Sequence, residues 1–160
     1  MTTAHTARPV PPRVLEELRT ADDAGRPLAP FTDEEGGAPL RCCLRRAAPG
    51  EPIALVSYAP LRRWAAETGA DPGAYDEQGP VFVHAEDCPG PSGTDLPFTD
   101  SPRVLRRYSA DGRILGGRLV SPSEGFASAF SAAFADPEVA LVHVRAVEYG
   151  CFLYEVRRDR

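Results

Sequence analysis

The chain has 160 residues, enough for one domain with a real core, and is 42% hydrophobic, 26% charged and 8% aromatic. All 18 basic residues are Arg, and the absence of Lys and Asn excludes lysine Schiff-base chemistry, a Walker A phosphate loop and N-glycosylation. The net charge of −5 argues against a nucleic-acid footprint, which needs a basic surface.

Residues 1–12 end in Arg8-Pro9-Val10-Pro11-Pro12, which suits neither a helix nor a central strand, so a flexible, extended arm is expected ahead of a single domain over 13–158. Val14 to Arg19 has the spacing of one short amphipathic helix, and residues 26–40 have no period and read as loop. Ile53 to Tyr58 reads as a strand, Leu61 to Thr68 as a short helix anchored by Trp64, and Pro80 to Ala85 as a second strand. On that strand Phe82, His84 and Glu86 share one face. A Pro- and Gly-rich loop spans 87–102. Val104–Ser109 and Ile114–Ser121 flank Asp111-Gly112, the signature of a hairpin with a type I′ turn.

Glu124 to Phe134 reads as the main helix, with Phe126, Phe130 and Phe134 on one stripe. Val139–Val147 and Cys151–Arg157 form a terminal hairpin around Glu148-Tyr149-Gly150. A three-residue loop would set His143 opposite Glu155 and Arg145 opposite Leu153; a two-residue loop would shift the register. Phe152, Tyr154 and Val156 are then expected on one face, meeting the phenylalanine stripe. No repeat is present. The order of elements predicts an α+β single domain, a mostly antiparallel and barrel-like sheet with one main helix and a short N-terminal helix.

The first ten residues carry no signal-peptide core, and no window approaches the ~18 consecutive apolar residues of a membrane helix, so a cytoplasmic protein without membrane contact is expected. Cys42, Cys43, Cys88 and Cys151 should then be thiols rather than a disulfide framework. His143 and Arg145 lie on one strand face, roughly 7 Å apart. An imidazole beside a guanidinium suits an anionic substrate, since Arg binds a carboxylate as a fork and His moves a proton. The alternative is a buried His with Arg145 paired to an acid such as Glu155. Cys151 could be a nucleophile activated by these two, or a small core residue. His84 and Cys88 form an H-x3-C pair that, with Cys42, Cys43, His143 and Cys151, assembles a zinc set on paper. The spacing lacks a C-x2–4-C knuckle, and adjacent cysteines do not readily face one tetrahedral ion. No metal or cofactor is therefore expected. The basic run Arg41–Arg46 follows Asp33-Glu34-Glu35 and reads as a self-paired charge cluster.

Pro39-Leu40-Arg41-Cys42-Cys43-Leu44, Pro49-Gly50-Glu51, Leu55-Val56-Ser57-Tyr58, Gly79 to Cys88, His143-Val144-Arg145 and Gly150-Cys151-Phe152 follow one another in order. This succession, covering about residues 13–158, resembles the bacterial family known as domain of unknown function 1203. That family's usual P-C-R-x-C-L stretch corresponds to Pro39–Leu44, with Leu40 in place of the first Cys. The resemblance implies no particular reaction; it marks Arg41, Cys43, His84, Cys88, His143, Arg145 and Cys151 as residues of interest.

The expectation is an enzyme or binding protein for an anionic small molecule. His84, His143 and Cys151 are its candidate catalytic residues, and Arg145, Arg41 and Tyr58 its candidate binding residues. The alternatives are a non-catalytic domain whose His, Arg and Cys groups form a buried network, and a zinc-stabilised interaction module. Monomer and homodimer both remain open.

Overall fold

A computed structural model of the chain describes residues 5–158. Pro12 opens helix α1 (Pro12–Thr20) at a position where its missing N–H has no intrahelical partner to lose. The helix buries Val14, Leu15 and Leu18 against Ala54, Val56, Val81 and Val83 of a five-stranded sheet. That sheet contains β1 (Phe31–Asp33), β2 (Pro39–Leu40), β3 (Arg45–Arg46), β4 (Glu51–Tyr58) and β5 (Gly79–His84) in the order β1-β4-β5-β2-β3. Only β2 and β5 run parallel, with Leu40 opposite Phe82. Between β4 and β5, helix α2 (Pro60–Thr68) ends on Gly69, whose φ of 81° is the left-handed conformation that closes a helix at no Cβ cost.

A four-stranded antiparallel sheet follows: β6 (Arg103–Ser109), β7 (Ile114–Val120), β8 (Val139–Ala146) and β9 (Phe152–Arg157), in the order β7-β6-β8-β9. Helix α3 (Phe126–Phe134) crosses between β7 and β8 and covers one face. There Phe126 and Phe130 pack with Leu105, Val142, Val144, Tyr154 and Val156. On the other face Tyr108 and Leu141 meet Leu61, Trp64 and Ala65 of α2. The fold is α+β with mostly antiparallel sheets, as expected, but both sheets are open. The barrel is corrected: closure needs every edge paired, and β1, β3, β7 and β9 remain edges. No helix among the described residues is long and apolar enough to cross a membrane.

Three local readings also change. Residues 1–4 of the expected arm lie outside the described residues. Arg8 donates its N–H to the Glu155 carbonyl beside β9, and buried Val10 donates to the Arg41 carbonyl, so the arm is held rather than free. Pro9 and Pro11 keep that backbone extended, the shape an edge strand accepts. The stretch read as loop contains β1 and β2, too short to show a period. The β6–β7 turn is not type I′, which needs two successive residues with positive φ. Gly112 alone has one (φ 86°), and it donates its N–H to Ser109. This is the type I turn followed by a left-handed residue that three-residue hairpin loops use.

At the C-terminal hairpin His143 does oppose Glu155, but the register shifts between Val144 and Arg145, so Arg145 faces Phe152 and not Leu153. The bulge turns one residue over. Phe152 joins the core beneath α1, while Leu153, Tyr154 and Val156 join the α3 core. The expected contact with the phenylalanine stripe therefore holds for Tyr154 and Val156 and fails for Phe152.

Candidate functional site

A cleft of about 560 Å3 opens between the two sheets. Leu55, Pro80 and Phe82 of the first sheet form one wall, Ala146, Cys151 and Leu153 of the terminal hairpin another, and Phe98 and Ser101 of the long loop close the side. Glu148 and Tyr149 sit at the exposed hairpin tip. Into this apolar space come three guanidinium groups, Arg41, Arg46 and Arg103.

Arg41 is the unusual one. It is 3% exposed, its Nε donates to the Phe152 carbonyl at 2.8 Å, and its Nη1 donates to the Pro39 carbonyl. Among the described residues no carboxylate pairs with it. Burial pushes the guanidinium down to about 10, with the nearby Cys151 sulfur opposing, and it remains charged at neutral pH. Backbone carbonyls thus satisfy two of its nitrogens and leave the charge uncompensated. Arg103, also buried, donates Nε to the Phe98 carbonyl and reaches exposed Asp100 only at 3.5 Å. Half-exposed Arg46 lies over the Phe98 ring and 3.7 Å from the same Asp100.

Of the six residues singled out from sequence, Arg41 and Cys151 line this cleft. The others do not. Arg145 lines a separate pocket of about 130 Å3 with Tyr58 and Cys151. It is no open anion anchor, since its Nη2 lies 3.0 Å from Glu77 and its Nε donates to the Gly150 carbonyl. Its partner is Glu77, not the anticipated Glu155. Tyr58 packs its ring on Phe152, and burial pushes its hydroxyl above the ordinary tyrosine range.

His143 is 1% exposed, wedged between the rings of Tyr108 and Phe152 at 4.8 and 4.9 Å, and lines none of these cavities. Burial holds its imidazole below the ordinary histidine range, so it stands neutral. Its Nε2 approaches Glu155 Oε1 at 3.4 Å without a well-formed hydrogen bond, and Nδ1 has no partner among the described residues. Burial pushes the Glu155 carboxyl up, but the Arg157 guanidinium beside it opposes burial, and the group is held below its ordinary value. Arg157 donates Nε to Glu155 at 2.6 Å and bonds Glu67. His143, Glu155, Arg157 and Glu67 thus form a chain of polar groups running from the core to the surface, and His143 is its fully enclosed end.

His84 belongs to a different constellation. The four-residue turn between β2 and β3 carries Cys42 and Cys43, and His84 ends β5 beside them. Cys88 follows four residues on, and the Sγ atoms of the three cysteines and a ring nitrogen of His84 all lie within 4.8 Å of one another. All four cysteines of the chain are free thiols. The objection that adjacent cysteines cannot share one centre fails here for a local reason. Cys42 and Cys43 sit inside the tight four-residue turn that Leu44 closes at φ 58°, and their sulfurs lie 3.3 and 3.9 Å from His84 Nδ1. His143 and Cys151 are not part of this group. The hydrogen bond from Cys42 brings the Cys43 thiol down to about 6, and the same bond together with burial raises Cys42. Arg45 holds Glu51 at about 2 through two contacts, and Glu51 Oε1 lies 3.2 Å from His84 Nε2.

Arg46 and Arg103 were not visible from sequence as site residues. Arg46 only ends the basic run read as a charge cluster and Arg103 sits in no motif; the return of the long loop brings both to Phe98. No curated protein and no solved structure matches the chain. The model of the family described as protein of unknown function DUF1203 matches residues 37–158, a stretch that holds the Cys42–Cys88 cluster, Arg41, His143, Arg145 and Cys151, and the chain belongs to that family.

Proposed function

We propose that the protein binds a small amphipathic carboxylate in the cleft between its sheets, with Arg41 as the buried cation that receives the carboxylate. The observation that carries this reading is a guanidinium, 3% exposed and without a carboxylate partner among the described residues, lining a largely apolar cavity. A buried charge is expensive unless paired, and a ligand carboxylate supplies the missing partner with the geometry a guanidinium favours. Leu55, Phe82, Phe98 and Leu153 take the apolar body of the ligand, while Arg46 and Arg103 make the cleft positive despite Asp100 and Glu148 nearby. Cys151 lies at the ligand's side, but His143, the base expected for it, is walled off between Tyr108 and Phe152. Binding is the reading, ahead of catalysis.

Octanoate and phenylacetate, compared with octanamide and phenylacetamide, test this in a thermal melt. At a hundredfold excess over Kd a ligand stabilises by about 2.7 kcal/mol, or roughly 5–10 °C for a chain of this size. The carboxylates should produce such a shift and the amides should not. Leu55→Trp, which fills the cleft from a half-exposed position, should abolish it without touching the core. Arg41→Gln should erase the difference between acid and amide. Equal shifts from acids and amides, or none from either, would sink the reading.

A further inference from the structure

We propose that Cys42, Cys43, His84 and Cys88 form a closed Cys3His site for one zinc ion, with Glu51 orienting His84. The geometry has the right scale. Tetrahedral zinc with Zn–S of about 2.3 Å and Zn–N of about 2.0 Å sets nitrogen and sulfur roughly 3.5 Å apart and two sulfurs roughly 3.8 Å apart. The Nδ1–Sγ distances of 3.3 and 3.9 Å bracket the first value, and Cys88 completes a set whose atoms are all within 4.8 Å.

The surroundings supply the second argument. Glu51 Oε1 sits 3.2 Å from Nε2, nearer than Arg45 Nη2 at 3.4 Å, and with the carboxylate accepting the Nε2 proton the Nδ1 lone pair faces the sulfurs. A carboxylate behind a histidine is the arrangement that fixes ring orientation in metal sites. Glu51 is itself clamped, with Arg45 Nη1 and Nη2 at 3.1 and 2.8 Å and the Ala48 N–H at 2.7 Å. The backbone N–H of His84 donates to Cys42 Sγ at 3.3 Å, the kind of bond that stabilises a thiolate. On binding, three Sγ–H bonds are replaced by three Zn–S bonds and three protons pass to solvent. Four protein ligands leave no open position for a substrate, so the site is structural. It ties the β2–β3 turn to the end of β5. Because Arg41 begins that turn, the ion also fixes the wall of the cleft. The zinc inference does not depend on what the cleft binds.

Metal content measured on tag-free protein from zinc-supplemented cells, purified without chelator, is the first readout. One zinc per chain is expected. Cobalt exchange into the wild-type protein should give the intense visible d–d bands of a tetrahedral ion together with sulfur-to-cobalt charge transfer. Cys88→Ser lies in a half-buried loop, and it should remove stoichiometric zinc while the far-ultraviolet circular dichroism shows the sheets retained. Glu51→Gln should keep the ligands but weaken zinc binding by about 10–100-fold in a competition with a chromophoric chelator. Wild-type protein that holds neither zinc nor tetrahedral cobalt would overturn the proposal. So would a disulfide among Cys42, Cys43 and Cys88 in freshly purified protein, or full zinc occupancy in Cys88→Ser.

Discussion

Phe130→Ala should lower the unfolding free energy by about 3–5 kcal/mol and the melting temperature by roughly 6–20 °C. Phe130 has no exposed surface, and its ring stands 6.4 Å from that of Tyr154 at a tilt. It is the residue through which α3 enters the core of the four-stranded sheet, among Leu105, Val142, Val144 and Val156. Leu105, Val142 and Val144 lie on inner strands with ladders on both sides, so they collapse poorly into the vacated space, and the cavity cost adds to the lost transfer free energy. Phe134, one turn on and half-buried, is the control. Arg158 lies over its ring 5.3 Å away at the protein surface, and its truncation should cost a fraction as much. Urea titration separates the outcomes as a shift in midpoint at unchanged slope. A loss below about 1 kcal/mol for Phe130→Ala would mean that α3 does not hold the sheet through this stripe.

The longer elements were legible because each carries its period in contiguous residues. Alternation placed Val81 and Val83 inside and Phe82 and His84 on the opposite side, and the four-residue spacing of Phe126 and Phe130 named the buried stripe of α3. What escaped has a common physical cause. Strands of two or three residues such as Pro39–Leu40 have no period of their own, and partners far along the chain decide them, as Phe82 does for Leu40. The bulge at Val144–Arg145 is likewise set where the hairpin tip closes, with Arg145 Nε bonding the Gly150 carbonyl. Neither signal is local in sequence.

The same limit divides the candidate site. Residue type named Arg41 and Cys151 and flagged the cysteines near His84, but distance decides which groups act together. The H-x-R argument for His143 and Arg145 was sound about the strand and silent about its surroundings. It could not show that Glu77 would take Arg145 or that Tyr108 and Phe152 would enclose His143. Conversely, adjacent cysteines are not bound to point apart: within the 41–44 turn both sulfurs come within 4 Å of His84 Nδ1.

The enclosure of His143 has a measurable consequence in the pH dependence of folding. Burial, joined by the positive charges of Arg145 and Arg106, keeps the imidazole neutral, and Glu155 opposes them without prevailing. In the unfolded chain the same histidine takes up a proton near pH 6.5. Below that pH the unfolded state binds more protons than the native one, so unfolding free energy rises with pH there and falls as the solution is acidified. For one proton the slope approaches about 1.4 kcal/mol per pH unit, or roughly 3–6 °C per unit in melting temperature. It persists until the depressed native value is reached. Glu155 adds a second loss in a separate, more acid window. Its native carboxyl is held below its ordinary value against burial, with Arg157 bonded to it, so the stability it contributes is present above about pH 4.3 and disappears as pH falls through the native value. His143→Gln cannot titrate. Urea midpoints measured stepwise from pH 7.5 to 5 should therefore slope in the wild-type protein and flatten in the variant, whatever the variant's absolute stability. The comparison cancels the titrating groups that do not touch His143; Glu155 does touch it, and its unfolded-state titration lies at about pH 4.3, below the range measured. A flat wild-type curve would show that water or a ligand reaches His143 and would return it to consideration as an acid–base group, and a slope that survives in His143→Gln would assign the pH dependence to another group.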